Sequence, residues 1–236
     1  MTRPLIIDRP HPLRGIVAIP VRTAVVGPGA DLLAVVAEAV EGIARPGDVV
    51  TVSETALAIA QGQTLPAQAV RPSKLAHFIS RHAAPLATVN QPESLQIVID
   101  RVGAPKVVFA CALQVLGRLA GQRGMFYRVM GEAITAIDGY TGTMPPFDRV
   151  IVFEPRDPDA FAESFRKRFG IDCAVVDAND LAPAKLLGAS PNVQRDVVAH
   201  ALDDNPHGNS DEQTPIVVLK WRGAGENRLL RSDVQA

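Results

Sequence analysis

Five short runs rich in β-branched residues, GIVAIPV (15–21), VVTVS (49–53), RVIVF (149–153), CAVV (173–176) and IVVL (216–219), are spread unevenly along the chain. Each has the length and composition of a strand. Between them lie segments with helical spacing and start signals. Asp31 precedes Leu32, Val35, Val36, Ala39, Val40 and Ile43, which recur on one helical face. Ser73 precedes a second candidate through Leu75, Phe78 and Ile79, and Pro92-Glu93 opens a third through Leu95, Ile97, Val98 and Val102 to Gly103. Asp157-Pro158 opens a fourth through Phe161, Phe165 and Phe169 to Gly170, and Ser190-Pro191 a fifth through Val193, Val197, Val198 and Leu202. Lys106–Leu119 fits strand or helix, whereas Phe126–Val129 and Ala133–Ile137 read as paired strands. Strands and helices alternate without a strict βαβ rhythm. That predicts an α+β fold, with mixed or antiparallel sheets and flanking helices, over a doubly wound parallel sheet.

The 236 residues allow one large domain or two small ones. We expect an extended, Pro-rich lead-in over 1–15, one domain over 16–223 that could be built as two lobes, and a polar tail over 224–236. With 24 Lys+Arg against 25 Asp+Glu, the chain is no bulk-charge binder of nucleic acid. Its apolar content of 47% is enough to build a core. No uncharged apolar run approaches the ~18 residues that a membrane span needs. The opening MTRPLIIDRPHPLRG has no apolar secretion-signal core. Cys111 and Cys173 each sit in apolar runs and read as buried reduced thiols, so a cytoplasmic protein is expected.

Phosphate-loop, dinucleotide-fingerprint, zinc-protease and nucleophile-elbow motifs are absent from the sequence. The five histidines, His11, His77, His82, His200 and His207, have no metal-ligand spacing, and His77 and His82 read as surface or boundary residues. Acidic and amide residues instead gather after apolar segments. They are Asp138 with Thr141, the run Asp177-Ala178-Asn179-Asp180, the run Asp203-Asp204-Asn205, and Asn209-Ser210-Asp211-Glu212. The third reads as a helix end and turn. Were the others to converge, they would make an oxygen-rich site suited to Mg²⁺ or Mn²⁺ beside substrate phosphates.

The order of several pieces resembles the coenzyme F-420 (deazaflavin) gamma-glutamyl ligase family, from about Ile19 to Gly223. The family's strand ending in proline, followed by a G-D-D-L turn, resembles Ile19-Pro20-Val21 and Gly29-Ala30-Asp31-Leu32. Its G-D-V-L-V-V segment resembles Gly47-Asp48-Val49-Val50-Thr51-Val52, which leads to Ala58-Ile59-Ala60-Gln61-Gly62. A P-S helix start is matched by Pro72-Ser73, and N-A-G-V-D by Thr135-Ala136-Ile137-Asp138. The L-P-x-D-P-D stretch resembles Phe153–Asp159, and the closing G-x-x-D-G-I-P-V-V-x-x-R-G resembles Gly208–Gly223.

The resemblance implies an amide-bond ligase that uses GTP and Mg²⁺ or Mn²⁺ to add L-glutamate to the carboxylate of the deazaflavin coenzyme precursor through an acyl phosphate. It implies catalytic roles for Asp138 and Asp180, and metal ligation by Asp138, Asn179, Asp180 and Glu212. It places Val21, Arg22, Thr23, Ser53, Glu54, Thr141, Asp211 and Glu212 near the nucleotide. It also implies an intertwined homodimer with small-molecule substrates and no nucleic-acid or membrane partner.

The chain departs from the family at the Ser-Lys pair, which is Ala58-Ile59 here, and in a loop shortened to Thr23-Ala24-Val25-Val26. In the metal motif S/T-D-T, an ungapped match puts the family's Asp on Asn179, and a one-residue shift puts it on Asp180. These departures leave two alternatives: a related ligase or phosphotransfer enzyme with another acid substrate, or a non-catalytic dimeric binding protein of the same fold.

Overall fold

The computed structural model describes residues 5–7, 15–83, 90–122, 124–131, 134, 137–138, 146–179, 182–208 and 213–221. They form two compact units, one from residues 1–62 with 155–236 and the other from 63–154. The first unit is therefore built from two separated stretches of chain, and the second is an insertion between them.

In the first unit the strands are β1 (Leu5–Ile7), β2 (Ile16–Val21) and β3 (Val49–Ser53). The helices α1 (Leu32–Val40) and α2 (Glu54–Ala60) accompany them. In the insertion lie β4 (Thr64–Pro66), α3 (Lys74–Ser80), α4 (Pro92–Val102), α5 (Ala104–Leu119), α6 (Met125–Met130), β5 (Ile137–Asp138) and β6 (Val150–Phe153). The chain then returns to the first unit with α7 (Pro158–Phe169), β7 (Asp172–Asn179), β8 (Ala182–Ala189), α8 (Arg195–Ala201) and β9 (Ile216–Trp221). The mixed α+β class expected from the sequence is what the structure shows.

The six strands of the first unit order as β1-β2-β9-β3-β7-β8. Only β3 and β7 pair in parallel, with Val49 opposite Asp172 and Ser53 opposite Val176. All other neighbours are antiparallel. Period-two alternation sends successive residues to opposite faces, and here both faces are covered. Val50, Val52, Cys173, Val175, Ile216 and Val218 join a core with Leu32, Val36 and Val40 of α1 and Phe165 of α7. Val49, Ala174, Val176, Val217 and Leu219 join a second core with Val198, Ala201 and Leu202 on the α8 side. The near-continuous IVVL run follows from this two-sided burial.

Helix ends obey local chemistry. The Asp31 carboxylate accepts from the Ala34 amide and Ser73 Oγ from the Ala76 amide, each capping its helix. Helix α7 starts with Pro158 and stops at Gly170, whose φ of 71° suits only a residue without Cβ strain. On α7, Phe165 is fully buried and lies 4.9 Å from Phe169, ring centre to ring centre.

In the second unit β4-β6-β5 form an antiparallel sheet. Its core joins Leu95, Val98 and Ile99 of α4, Val107 and Ala110 of α5, Phe126 and Met130 of α6, and Ile137 and Ile151 of the sheet. Helices α4 and α5 meet at Gly103 with a bend of 114°. Among the described residues no single helix is long and apolar enough to cross a membrane.

Several sequence expectations change. Lys106–Leu119 belongs to a helix. Phe126–Val129 is helical, not a strand, because Phe126 and Met130 sit four apart and both point into the core. Ile137–Asp138 is a strand, but it pairs with β6 rather than with the 126–129 segment. Ser190 does not cap α8. Its hydroxyl donates to Asp172 and accepts from the Cys173 amide, tying β8 to β7, and the helix begins at Arg195. Leu5–Ile7, within the expected lead-in, is a strand on β2. The APAKLLGA stretch, too poor in β-branched residues to read as a strand, is β8. Both cysteines are free, as expected, but only Cys173 is fully buried; Cys111 is half-buried.

Gly188 of β8 lies against the start of α7. A Cβ there would sit 2.3 Å from the Pro158 carbonyl carbon and 2.4 Å from the Asp159 amide nitrogen. Backbone cannot yield as a flexible side chain can. Gly188→Ala is expected to destabilise the protein by about 2 kcal/mol or more, lowering Tm by roughly 4–8 °C in a calorimetric scan. An unchanged Tm would show that α7 can move off the sheet.

Candidate functional site

Strand directions decide where the candidate residues go. β2 and β9 are antiparallel, as are β9 and β3, and β3 and β7 are parallel. The last residues of β2, β3 and β7 therefore share one end of the sheet with the first residue of β9. The registers make this concrete. Val21 lies opposite Ile216, Ile216 opposite Val52, and Ser53 opposite Val176. β7 continues beyond that level to Asn179, and β8 begins at Ala182. Past the strand ends, the Thr23 amide donates to the Gln213 carbonyl at 3.1 Å and the Ser53 amide to the Pro215 carbonyl at 2.8 Å.

The fold thus brings Val21, Arg22, Thr23, Ser53, Glu54 and Asn179 to one sheet end. Of these, Val21 is buried, Arg22 is exposed, and Thr23, Ser53 and Glu54 are half-buried. Asp180, Asp211 and Glu212 lie outside the described residues. Asp138 is on β5 of the other unit, and Thr141 lies outside the described residues. Among the described residues no group of three His, Cys, Asp or Glu side chains is placed to hold a metal ion. The donors present at this sheet end are oxygen-bearing types, which fit a hard divalent cation rather than a soft one.

Ala58 and Ile59, at the positions of the family's Ser-Lys pair, are buried in α2. That face of the helix serves as core here and cannot carry a solvated ammonium.

The sequence reading missed a buried polar cluster beneath this end of the sheet. Thr51, in the middle of β3, is fully buried, and His207 and Thr214 are buried. The Thr51 hydroxyl lies 3.1 Å from His207 Nε2 and 3.1 Å from the Val217 carbonyl oxygen. His207 Nδ1 lies 3.2 Å from the Thr214 carbonyl oxygen, and the Thr214 hydroxyl donates to the His207 carbonyl. A carbonyl only accepts, so Nδ1 carries the ring proton for Thr214, and the single Thr51 hydroxyl proton serves one acceptor at a time, the Val217 carbonyl or Nε2. Residues 207 and 214 are thereby clamped to each other and to β3, at the two ends of the stretch that holds Asp211 and Glu212. Gln213, next in line, has a left-handed φ of 54°, a conformation rare outside glycine and frequent at functional loops. A signal was present in the sequence: a lone threonine inside the apolar VVTVS strand needs a buried polar partner.

The two expected surface histidines, His77 and His82, are exposed. Asp203 and Asp204 fall in the turn after α8, as the sequence indicates. His200 Nδ1 lies 3.2 Å from the Asp203 carboxylate in that turn.

Burial lowers the His207 pKa from 6.5 to about 4, partly offset by the Thr214 carbonyl. In the unfolded chain the ring titrates near its ordinary value. Between the two values the unfolded state binds the extra proton, so stability falls as pH falls through this window. The wild type is expected to lose about 2 kcal/mol of unfolding free energy from this group between about pH 7.5 and pH 5. In His207→Gln that component vanishes, and the pH dependence measured by urea denaturation flattens. An equally steep slope in the variant would show that His207 titrates in the folded state.

The comparisons with known proteins agree with this architecture. No curated protein matches the sequence. The profile of the family described as F420-0:Gamma-glutamyl ligase matches residues 20–180, from the end of β2 to the residue after β7, which is more than half of the chain. That span takes in β3, the whole inserted unit and the first two of the candidate acidic stretches, and on this match the chain belongs to the F420-0:gamma-glutamyl ligase family.

Proposed function

We propose that the protein is a GTP- and divalent-metal-dependent ligase that joins L-glutamate to the carboxylate of the deazaflavin coenzyme precursor, acting as a homodimer. The observation that carries this reading is the gathering of Arg22, Thr23, Ser53, Glu54 and Asn179 at one sheet end, in a chain of this family. Chemically, a carboxylate is a poor acylating agent because its leaving group is oxide. Transfer of the γ-phosphoryl group of GTP to a carboxylate oxygen breaks the bond to the β-phosphate oxygen and releases GDP. The glutamate amine then attacks the acyl carbon, phosphate leaves, and the amine gives up a proton as the amide forms.

Each reactant is anionic. The metal-ligand roles are assigned to Asp138 of the inserted unit and to Asn179, Asp180 and Glu212 of the rest of the chain; Mg²⁺ or Mn²⁺ bound there would neutralise phosphate charge. On this reading Arg22, exposed at the end of β2, meets phosphate oxygens, and the Thr23 and Ser53-Glu54 segments border the nucleotide. Asp211 and Thr141 are assigned to the phosphates on the family resemblance alone. The hydrogen bonds through His207 tie residues 207 and 214 to β3, which limits the reorganisation needed there when charge develops.

The test is direct. Purified protein with Mn²⁺, GTP, glutamate and the precursor is expected to yield the glutamyl adduct by mass spectrometry, together with GDP and phosphate. Asp138→Ala is expected to lower turnover by roughly 10³-fold or more while leaving the circular dichroism spectrum unchanged. Unchanged turnover in that variant removes Asp138 from the mechanism. Burial of Ala58 and Ile59 where the family has Ser-Lys favours a second reading, a related ligase with another acid substrate. Thermal stabilisation by GTP and an unrelated carboxylic acid, without the precursor, would select it. No response to any nucleotide would leave a non-catalytic binding protein.

A further inference from the structure

Charge is spread unevenly along this nearly neutral chain. The stretch 67–131, which carries α3 to α6 of the inserted unit, has eight Lys and Arg against two Asp and Glu. That is a net charge of +6, and since the whole chain carries -1, the remainder carries -7. Every Lys and Arg of the stretch that the structure describes is exposed. The large apolar side chains that face solvent fall in the same place. Among the described residues nine are exposed, and all but Val25 and Trp221 lie within 67–131. Cations and exposed apolar groups confined to one stretch of one unit point to a partner surface that is both anionic and apolar.

Helix α5 shows how the two kinds of residue are arranged. Val108, Phe109, Val115, Leu116 and Leu119 are between 49 and 82% exposed, on a face that spans about 120° of the helix surface. Val107, Ala110 and Gly117 are buried on the opposite side. Lys106 and Arg118, both exposed, stand about 120° from the middle of the apolar face, one on either flank. The helix contains no acidic residue. Helix α6 packs against it, with the Phe126 amide donating to Gln114 Oε1 at 3.0 Å, and leaves Tyr127 and Arg128 exposed. An apolar face with a cation at each edge suits a helix lying in a lipid interface, where the apolar groups enter the acyl boundary and the long basic side chains reach back to the headgroups.

We propose that the inserted unit docks on an anionic lipid surface through the exposed face of α5. The five apolar side chains enter the boundary between headgroups and acyl chains, and Lys106 and Arg118 meet lipid phosphates at its edges. With 16 residues the helix lies in the interface and does not span the bilayer. The net charge of +6 on the 67–131 stretch draws the unit to the surface over about one Debye length. Charge and side-chain type select this occupant over two others. A second copy would set one strongly cationic surface against another. Single-stranded nucleic acid would use the cations, but it stacks its bases on aromatic rings, and all but Phe109 of the five are aliphatic. The family resemblance carries no membrane partner, so this surface is a departure from it. The inference stands on the inserted unit alone and does not depend on the ligase reading.

The full chain is expected to float with phosphatidylcholine vesicles that contain about 30% phosphatidylserine at about 0.1 M salt, and not with phosphatidylcholine alone. Binding to the anionic vesicles is expected to fall roughly tenfold or more at about 0.5 M salt. The double variant Phe109→Glu with Leu116→Glu is expected to abolish flotation with unchanged circular dichroism. Lys106→Ala with Arg118→Ala, which leaves the apolar face intact, is expected to weaken binding roughly 25-fold, about fivefold per cation. A wild type that does not float, that floats equally well with phosphatidylcholine alone, or whose binding is undiminished in either variant overturns the proposal. A wild type that stays off vesicles but sediments as a dimer, dissociated by Phe109→Glu with Leu116→Glu, also overturns it and assigns the face to a second copy. A wild type that stays off vesicles and retards single-stranded RNA in a gel overturns it in favour of nucleic acid.

Discussion

The parallel pairing of β3 with β7 is the constraint on which the first unit rests. These strands are separated in the chain by the entire 63–154 insertion, yet Val49–Ser53 and Asp172–Val176 run side by side. A parallel pair cannot close through a tight turn, so a long crossover is obligatory, and here a whole folded unit fills that role. Without the pairing, β7 and β8 would have no sheet to join. Every loop at the candidate site would then lose its neighbour. The cost of closing so long a connection grows only slowly with its length, and burial of both faces of the sheet offsets it.

That pairing also explains why one end of the sheet collects the functional candidates. Direction alternates β2, β9, β3 and then repeats at β7, so three strand ends and one strand start coincide. Open sheets with this kind of reversal present their loops beyond the strand ends, where backbone groups are free to meet a ligand. Beneath the edge, Thr51, His207 and Thr214 replace apolar packing with a set of buried hydrogen bonds. A buried imidazole is destabilising unless satisfied, and this one has Thr51 at one ring nitrogen and the Thr214 carbonyl at the other. These bonds fix residues 207 and 214 to each other and to β3.

The fold class and most elements were legible from residue order. VVTVS, RVIVF and IVVL are strands because branched, apolar residues suit a pleated surface buried on both sides. Asp31, Ser73, Pro92, Pro158 and Gly170 mark helix ends by local hydrogen-bonding and backbone geometry alone. The misreadings came where local composition pointed one way and neighbours the other. MFYRVM is aromatic and branched, yet it becomes a helix because Phe126 and Met130 share a face. APAKLLGA is strand only because β7 offers it a ladder, and Gly188 admits α7 against it.

Of the candidate site, the residue types and their order along the chain were available beforehand: acids and amides following apolar strands, in the sequence of one ligase family. Local chemistry carries that information, because caps, turns and strand-forming runs act over a few residues. What required the folded molecule was adjacency. Sheet order placed Val21, Ser53 and Asn179 at a common end, the insertion put Asp138 in a separate unit, and burial made His207 a clamp. Register and neighbour choice depend on contacts between residues far apart in the chain, and one strand's own sequence specifies a pleated, apolar surface without naming the strand that pairs with it.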